Sequence, residues 1–169
     1  MITATKRIEF DAAHRVAGHE GKCKSLHGHR YAAEFTFVRT DGRGTDDAGF
    51  VIDFGVIKAR VGKWIDDNLD HTTLFDKQDE LMVRLYEKLI ALAQDERAPV
   101  NQPPKESLMT LRPWFPMDCP PTAENIASLL WTKATSLAPK GVEVVRVRVY
   151  ETPTSFAEYE YTASLHRRS

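Results

Sequence analysis

Two of the chain's six histidines stand two residues apart, in His27-Gly28-His29. On an extended backbone, side chains at that spacing point to the same side, so both imidazoles can reach one ion. Gly28 between them allows a neighbouring backbone to come close. His14 lies upstream on the parity of Phe10 and Ala12, and it points into the same volume if the two segments pair as strands. Three neutral imidazoles with a fourth position open are how catalytic zinc is held, whereas structural zinc is closed by four protein ligands. His14, His27 and His29 are therefore the candidate metal ligands. The donor set favours zinc, although iron and nickel accept the same nitrogens. An HxH pair also occurs by chance in ordinary strands; a third histidine and a cysteine close by strengthen the metal reading.

Cys23 precedes His27 by four residues. It is open to three readings: a fourth metal ligand, a small buried hydrophobe, or a base. A free thiol titrates near ~8.5, and a neighbouring cation such as Lys22, Lys24 or a metal lowers that. Asp70-His71 can act as an acid/base pair, the carboxylate orienting or charging the imidazole. The plainer reading is a helix C-terminus, where a histidine interacts well with the dipole. Glu151 ends a valine-rich strand on the parity of apolar residues. Either it enters an enclosed place and takes a partner with two adjacent N–H donors, or the strand stops there and the carboxylate is solvated.

These residues need elements to position them. Residues 2–10 alternate loosely, with Ile2, Ala4, Ile8 and Phe10 on one face, and residues 30–39 do the same through Tyr31, Ala33, Phe35 and Phe37. A loop between the two strands then carries four histidines and Cys23, and rigid strands position such a loop. Asp53 is placed to cap a helix over 54–69, with Phe54, Ile57, Val61, Trp64 or Ile65, and Leu69 as its apolar stripe. A second helix starts after Pro121, capped by Thr122, with Ile126, Leu129, Leu130 and Leu137 inward. Strands over 142–151, with Val145, Val147 and Val149 sharing a face, and over 156–161 complete an α+β order of strand, strand, helix, helix, strand, strand.

Between Phe75 and Pro121 the plan is interrupted. A helical pattern (Leu81, Leu85, Leu89, Leu92) precedes a run that holds seven of the nine prolines. This reads as an inserted helix and an irregular proline-rich loop, at about 76–118 of one domain spanning 1–169.

With 169 residues, 42% hydrophobic and 28% charged, the chain has the balance of one globular domain. A net charge of −1 gives no reason to expect nucleic acid or an anionic membrane as partner. Two cysteines are too few for a disulfide framework, so a reducing cytoplasm is expected. The first ten residues hold no apolar core of a secretory signal, and no window approaches the roughly 20 apolar residues of a membrane span.

Six short segments together resemble the 6-pyruvoyl-tetrahydropterin synthase / 6-carboxy-tetrahydropterin synthase family: FDAAHR (10–15), CKSLHGH (23–29), GFVIDFGVIK (49–58), LDHTTL (69–74), PTAENIA (121–127) and VRVYET (147–152). The resemblance implies the tunnelling fold, a four-stranded antiparallel sheet with two helices on one face. It implies a homo-oligomer, usually a hexamer, because one chain has too few strands to close a barrel. It also implies zinc on His14, His27 and His29, Cys23 as the proton-abstracting thiolate, and Asp70 and His71 as its partner pair. Glu151 then anchors the pterin's amino-pyrimidinone edge, with Glu124 and Thr122 helping to hold the ring. The three-residue gap between Cys23 and HGH resembles the bacterial 6-carboxy-tetrahydropterin synthases of the queuosine and deazapurine pathway. The expected reaction takes 7,8-dihydroneopterin triphosphate to 6-carboxy-tetrahydropterin, acetaldehyde and triphosphate. The rivals are a 6-pyruvoyl-tetrahydropterin synthase, a non-catalytic zinc-binding relative, and a zinc hydrolase whose nearest loop carboxylate is Glu20.

Overall fold

A computed structural model describes residues 1–94 and 112–161. Strands β1 (Ala4–His14), β2 (His27–Arg39), β3 (Thr72–Asp76), β4 (Phe115–Met117), β5 (Val142–Thr152) and β6 (Ser155–Glu160) form one sheet, ordered β4-β3-β1-β2-β5-β6. The class is α+β, as expected. The sheet, however, is six-stranded and mixed, where four antiparallel strands were expected. β1 pairs with β3 and β3 with β4 in parallel, while β2–β5 and β5–β6 are antiparallel. The two added strands were hidden for physical reasons. β3 is only five residues long, and β4 carries Pro116 within a proline-rich stretch. Proline is confined to edge strands, and β4 stands at the sheet's edge. Among the proline-rich residues expected to be irregular, 99–111 lie outside the described residues.

Contacts divide the chain into two units: residues 1–11, 29–70 and 122–169, and residues 12–28 and 71–121. In the first, helices α1 (Phe54–Ile57) and α2 (Lys63–Asn68) are joined without a break by one π turn over Lys58–Gly62. Asp53 caps the start, its Oδ1 accepting the Gly55 N–H. The π turn answers a feature of the sequence. Ile57, Val61, Ile65 and Leu69 recur every four residues, which on a helix of 3.6 residues per turn drifts by about 40° per step. A wider turn absorbs that drift, and all four are at most 3% exposed. Phe54, expected in the same stripe, is exposed instead.

Helix α4 (Ala123–Leu137) begins at Thr122, whose Oγ1 accepts the Asn125 N–H at 3.4 Å. It packs on β5 and β6 through Ile126, Ala127, Leu130 and Ala134, all fully buried. Leu129 and Leu137, expected inward, are only half-buried. On β5 the buried valines are Val144, Val147 and Val149; Val145 is not among them. The cause is a bulge: Thr36 pairs with Arg146 and Phe37 with Val144, so Val145 is extra and the alternation flips across it.

In the second unit, helix α3 (Glu80–Gln94) stands where the helical pattern of Leu81, Leu85, Leu89 and Leu92 was read. Its packed face is turned from the leucine stripe. Leu81 and Leu85 are exposed, while Met82 is buried and Tyr86 stacks on Trp114 and meets Phe75. Among the described residues no helix is long and apolar enough to cross a membrane.

Urea unfolding separates the two versions of the first helix's stripe. Ile65→Ala is expected to cost about 2–5 kcal/mol, and Phe54→Ala less than about 1 kcal/mol.

Candidate metal and pterin site

β1 runs on through His14, and β2 starts at His27, so the histidines expected in a loop stand on strands. In the second unit, Gly28 brings β2 so close to β1 that a Cβ there would lie 3.3 Å from the Ala12 carbonyl oxygen. Nothing larger than glycine fits without a shift, which is the close approach its place in HGH implies.

His14 is 1% exposed. Its Nδ1 lies 2.6 Å from the carbonyl oxygen of Pro121. His27 repeats the arrangement, with Nδ1 2.7 Å from the Ser25 carbonyl oxygen. A carbonyl only accepts, so in both rings Nδ1 carries the proton and Nε2 carries the lone pair. A neutral imidazole oriented by a backbone carbonyl is how proteins usually prepare a metal-ligating histidine. The two rings sit with centroids 4.6 Å apart. His29 follows His27 on the same strand at the same-face spacing. The donor set therefore fits a divalent metal ion with nitrogen preference.

Within the first unit, His29 Nε2 lies 3.9 Å from Glu151 Oε1, and the ring meets Tyr31 edge-on at 5.7 Å. Glu151 occupies a second bulge of β5. Tyr150 pairs with Phe156 and Thr152 with Ser155, so Glu151 is the extra residue. Bulges re-aim side chains and are common beside active sites.

Asp70 accepts the Asp11 N–H on Oδ1 at 2.8 Å, which fixes one carboxylate oxygen. His71 has φ +57°, the one non-glycine residue in the left-handed region among those described. Such backbone costs about 1–2 kcal/mol and concentrates at functional sites.

Cys23 sits half-buried in a 3₁₀ turn over Lys22–Lys24, its carbonyl accepting the Val16 N–H at 2.9 Å. Thr122 is occupied as the helix cap, and Glu124 is exposed in the first turn of α4. Arg15, which sequence alone leaves free to meet a phosphate, is instead ion-paired with Asp79. Sequence reasoning missed Asp11, the two anchoring carbonyls and Asp79. Only Asp79 left a signal, as a cap residue before an apolar helix.

A mixed α+β sheet that carries His14 and His27, each oriented by a backbone carbonyl, has the donor chemistry of a metal-capable protein. The chain belongs to the 6-pyruvoyl tetrahydropterin synthase family, whose model matches residues 3–162. It is 37% identical over 163 residues to the 6-carboxy-5,6,7,8-tetrahydropterin synthase of Rickettsia felis, covering 94% of this chain and 99% of the relative. Among solved structures, an uncharacterized protein from Wolinella succinogenes matches with TM-score 0.73 and 25% identity over 95% of this chain and 98% of the other. The 6-pyruvoyl tetrahydropterin synthase of Caenorhabditis elegans matches with TM-score 0.58 and 22% identity over 95% and 96%.

Cys119 is the internal control for thiol chemistry. Burial first, then Asp76 and Asp118, push its thiol above the ordinary range. Mass-spectrometric mapping after brief iodoacetamide treatment near neutral pH is expected to find Cys119 alkylated more slowly than Cys23. The reverse order would remove Cys23 from the reactive role.

Proposed function

We propose that this chain is a zinc-dependent 6-carboxy-5,6,7,8-tetrahydropterin synthase. It takes 7,8-dihydroneopterin triphosphate and one water to 6-carboxy-tetrahydropterin, acetaldehyde and triphosphate. The observation that carries the reading is the near-full-length similarity to a relative of that name. The prepared tautomers of His14 and His27 support it from the side of chemistry.

His14, His27 and His29 would hold the metal. Zinc bound there would supply Lewis-acid polarisation to the oxygens of the substrate's side chain. The protein's own groups do the rest. Cys23, as thiolate, takes the proton from the side-chain carbon next to the pterin ring. His71, charged and oriented by Asp70, returns or removes a proton on the opposite side. Asp70 is held ready by the Asp11 N–H. Glu151 accepts two adjacent N–H groups of the amino-pyrimidinone edge, and that bidentate geometry fixes the ring's orientation. Glu124 contributes from the first turn of α4. The Thr122 hydroxyl is already taken up by Asn125, so Thr122 serves by placing the helix start. Ring reduction is matched by oxidation within the side chain, so no nicotinamide or flavin is needed.

The same reading carries queuosine biosynthesis, a cytoplasmic setting and a tunnelling-fold homo-oligomer, most simply a hexamer. Edge strands support the last point: β6 ends one side of the sheet, and an exposed edge is a template for pairing. A 6-pyruvoyl product is the alternative, favoured by the description of the matched family model.

Anaerobic incubation of zinc-loaded protein with 7,8-dihydroneopterin triphosphate, read by mass spectrometry, decides between them. Carboxy-tetrahydropterin and acetaldehyde are expected, with Cys23→Ala slower by at least about a hundredfold. A pyruvoyl product moves the assignment to the alternative. Metal analysis after desalting is expected to give one zinc per chain, lost in His27→Ala; retention of zinc by that variant would refute the three-histidine site.

A further inference from the structure

We infer that the buried Arg15–Asp79 ion pair is a positioning clamp that sets metal affinity at His14. The inference rests on the metal reading above and concerns residues to which that reading gives no role. Arg15 directly follows His14, the last residue of β1. Its Nε lies 2.8 Å from Asp79 Oδ2, and the two side chains are only 17% and 5% exposed. Exposed ion pairs contribute little, but a pair this enclosed cannot lose one partner without stranding the other.

Asp79 is itself fixed from several directions. Its Oδ1 accepts the Met82 N–H at 3.4 Å, its carbonyl accepts the Val83 N–H at 2.9 Å, and its own N–H donates to the Asp76 carbonyl at 3.0 Å. One carboxylate therefore caps α3 and holds Arg15. The helix it caps is anchored by buried Met82 and by the Tyr86–Trp114 stack. The strand end carrying His14 is thus gripped twice, by the Pro121 carbonyl on the ring and by Asp79 on the next side chain.

Charge makes this more than scaffolding. Arg15 directly follows the candidate ligand His14, so its charge, unless cancelled, opposes a dication held there through the protein interior, and Asp79 cancels it. Removing the carboxylate alone leaves that cation stranded; removing both charges restores neutrality. Asparagine still caps helices, so Asp79→Asn separates the charge from the cap.

Zinc affinity is measured by competition with a chromophoric chelator, on wild type, Asp79→Asn and the double variant Arg15→Gln/Asp79→Asn. Thermal unfolding of each metal-free protein runs in parallel. Asp79→Asn is expected to weaken zinc by about 10–100-fold, as losses of groups supporting metal ligands do. The double variant is expected to recover most of that loss. A merely structural pair would lower the unfolding temperature while leaving the folded protein's zinc affinity unchanged, and that result overturns the clamp alone. Failure of the wild type to bind zinc overturns the metal reading and the clamp with it.

Discussion

The hydrogen bond between His14 and the carbonyl of Pro121 joins residues 107 positions apart, and much of the site depends on it. His14 is deeply buried, and the carbonyl it faces can only accept, so Nδ1 is the donor. The carbonyl then decides which nitrogen keeps the lone pair. That carbonyl is itself stiffly held: it belongs to the second of two consecutive prolines with fixed φ, and the next residue, Thr122, caps α4. The strand end and the imidazole are thereby tied to a stiff stretch of backbone. Such a bond contributes only about 1 kcal/mol net to folding. Its larger effect is on which chemistry the ring can do.

Much of the rest is geometry that rigid elements impose on flexible chemistry. The π turn between α1 and α2 keeps four apolar residues on one face although their spacing does not match an α-helix. The bulges at Val145 and Glu151 do the converse on β5, breaking the alternation of a strand. The first returns a valine to the core. The second sets a carboxylate beside His29 in a strand otherwise read as continuous. Both kinds of defect are local departures from a regular period, and both serve a residue that the regular period would misplace.

That explains which parts were legible in the sequence. The same-side spacing of HGH, the Asp53 and Thr122 caps and the existence of the valine strand all express regular periods or caps, and each was legible, although HGH opens β2 where a loop was expected. The four-stranded sheet was wrong because β3 and β4 are too short for a period to show, and one of them contains proline. Val145 and Phe54 were misplaced because a bulge and a helix end shift faces without changing composition. Within the site, the three histidines could be read as a group, but the carbonyls of Ser25 and Pro121 could not. A backbone acceptor has no identity in the sequence, and the contact to Pro121 is long-range.

The segment at 76–118 takes on a different meaning once Asp79 is followed to its partners. An inserted stretch next to Asp70-His71 suggests a lid, because lids need a connection near the chemistry. The described part of the segment is instead bound downward: Asp79 to Arg15, Met82 into the core, Tyr86 onto Trp114, and β4 onto β3. A lid draws its contacts from the weakly held end of a structure. These contacts include the enclosed Arg15–Asp79 pair and fully buried Met82, and the first ends at the residue next to a candidate metal ligand. The segment's first half therefore acts as support for the strand that carries His14, and variation within it should reach the site through that strand.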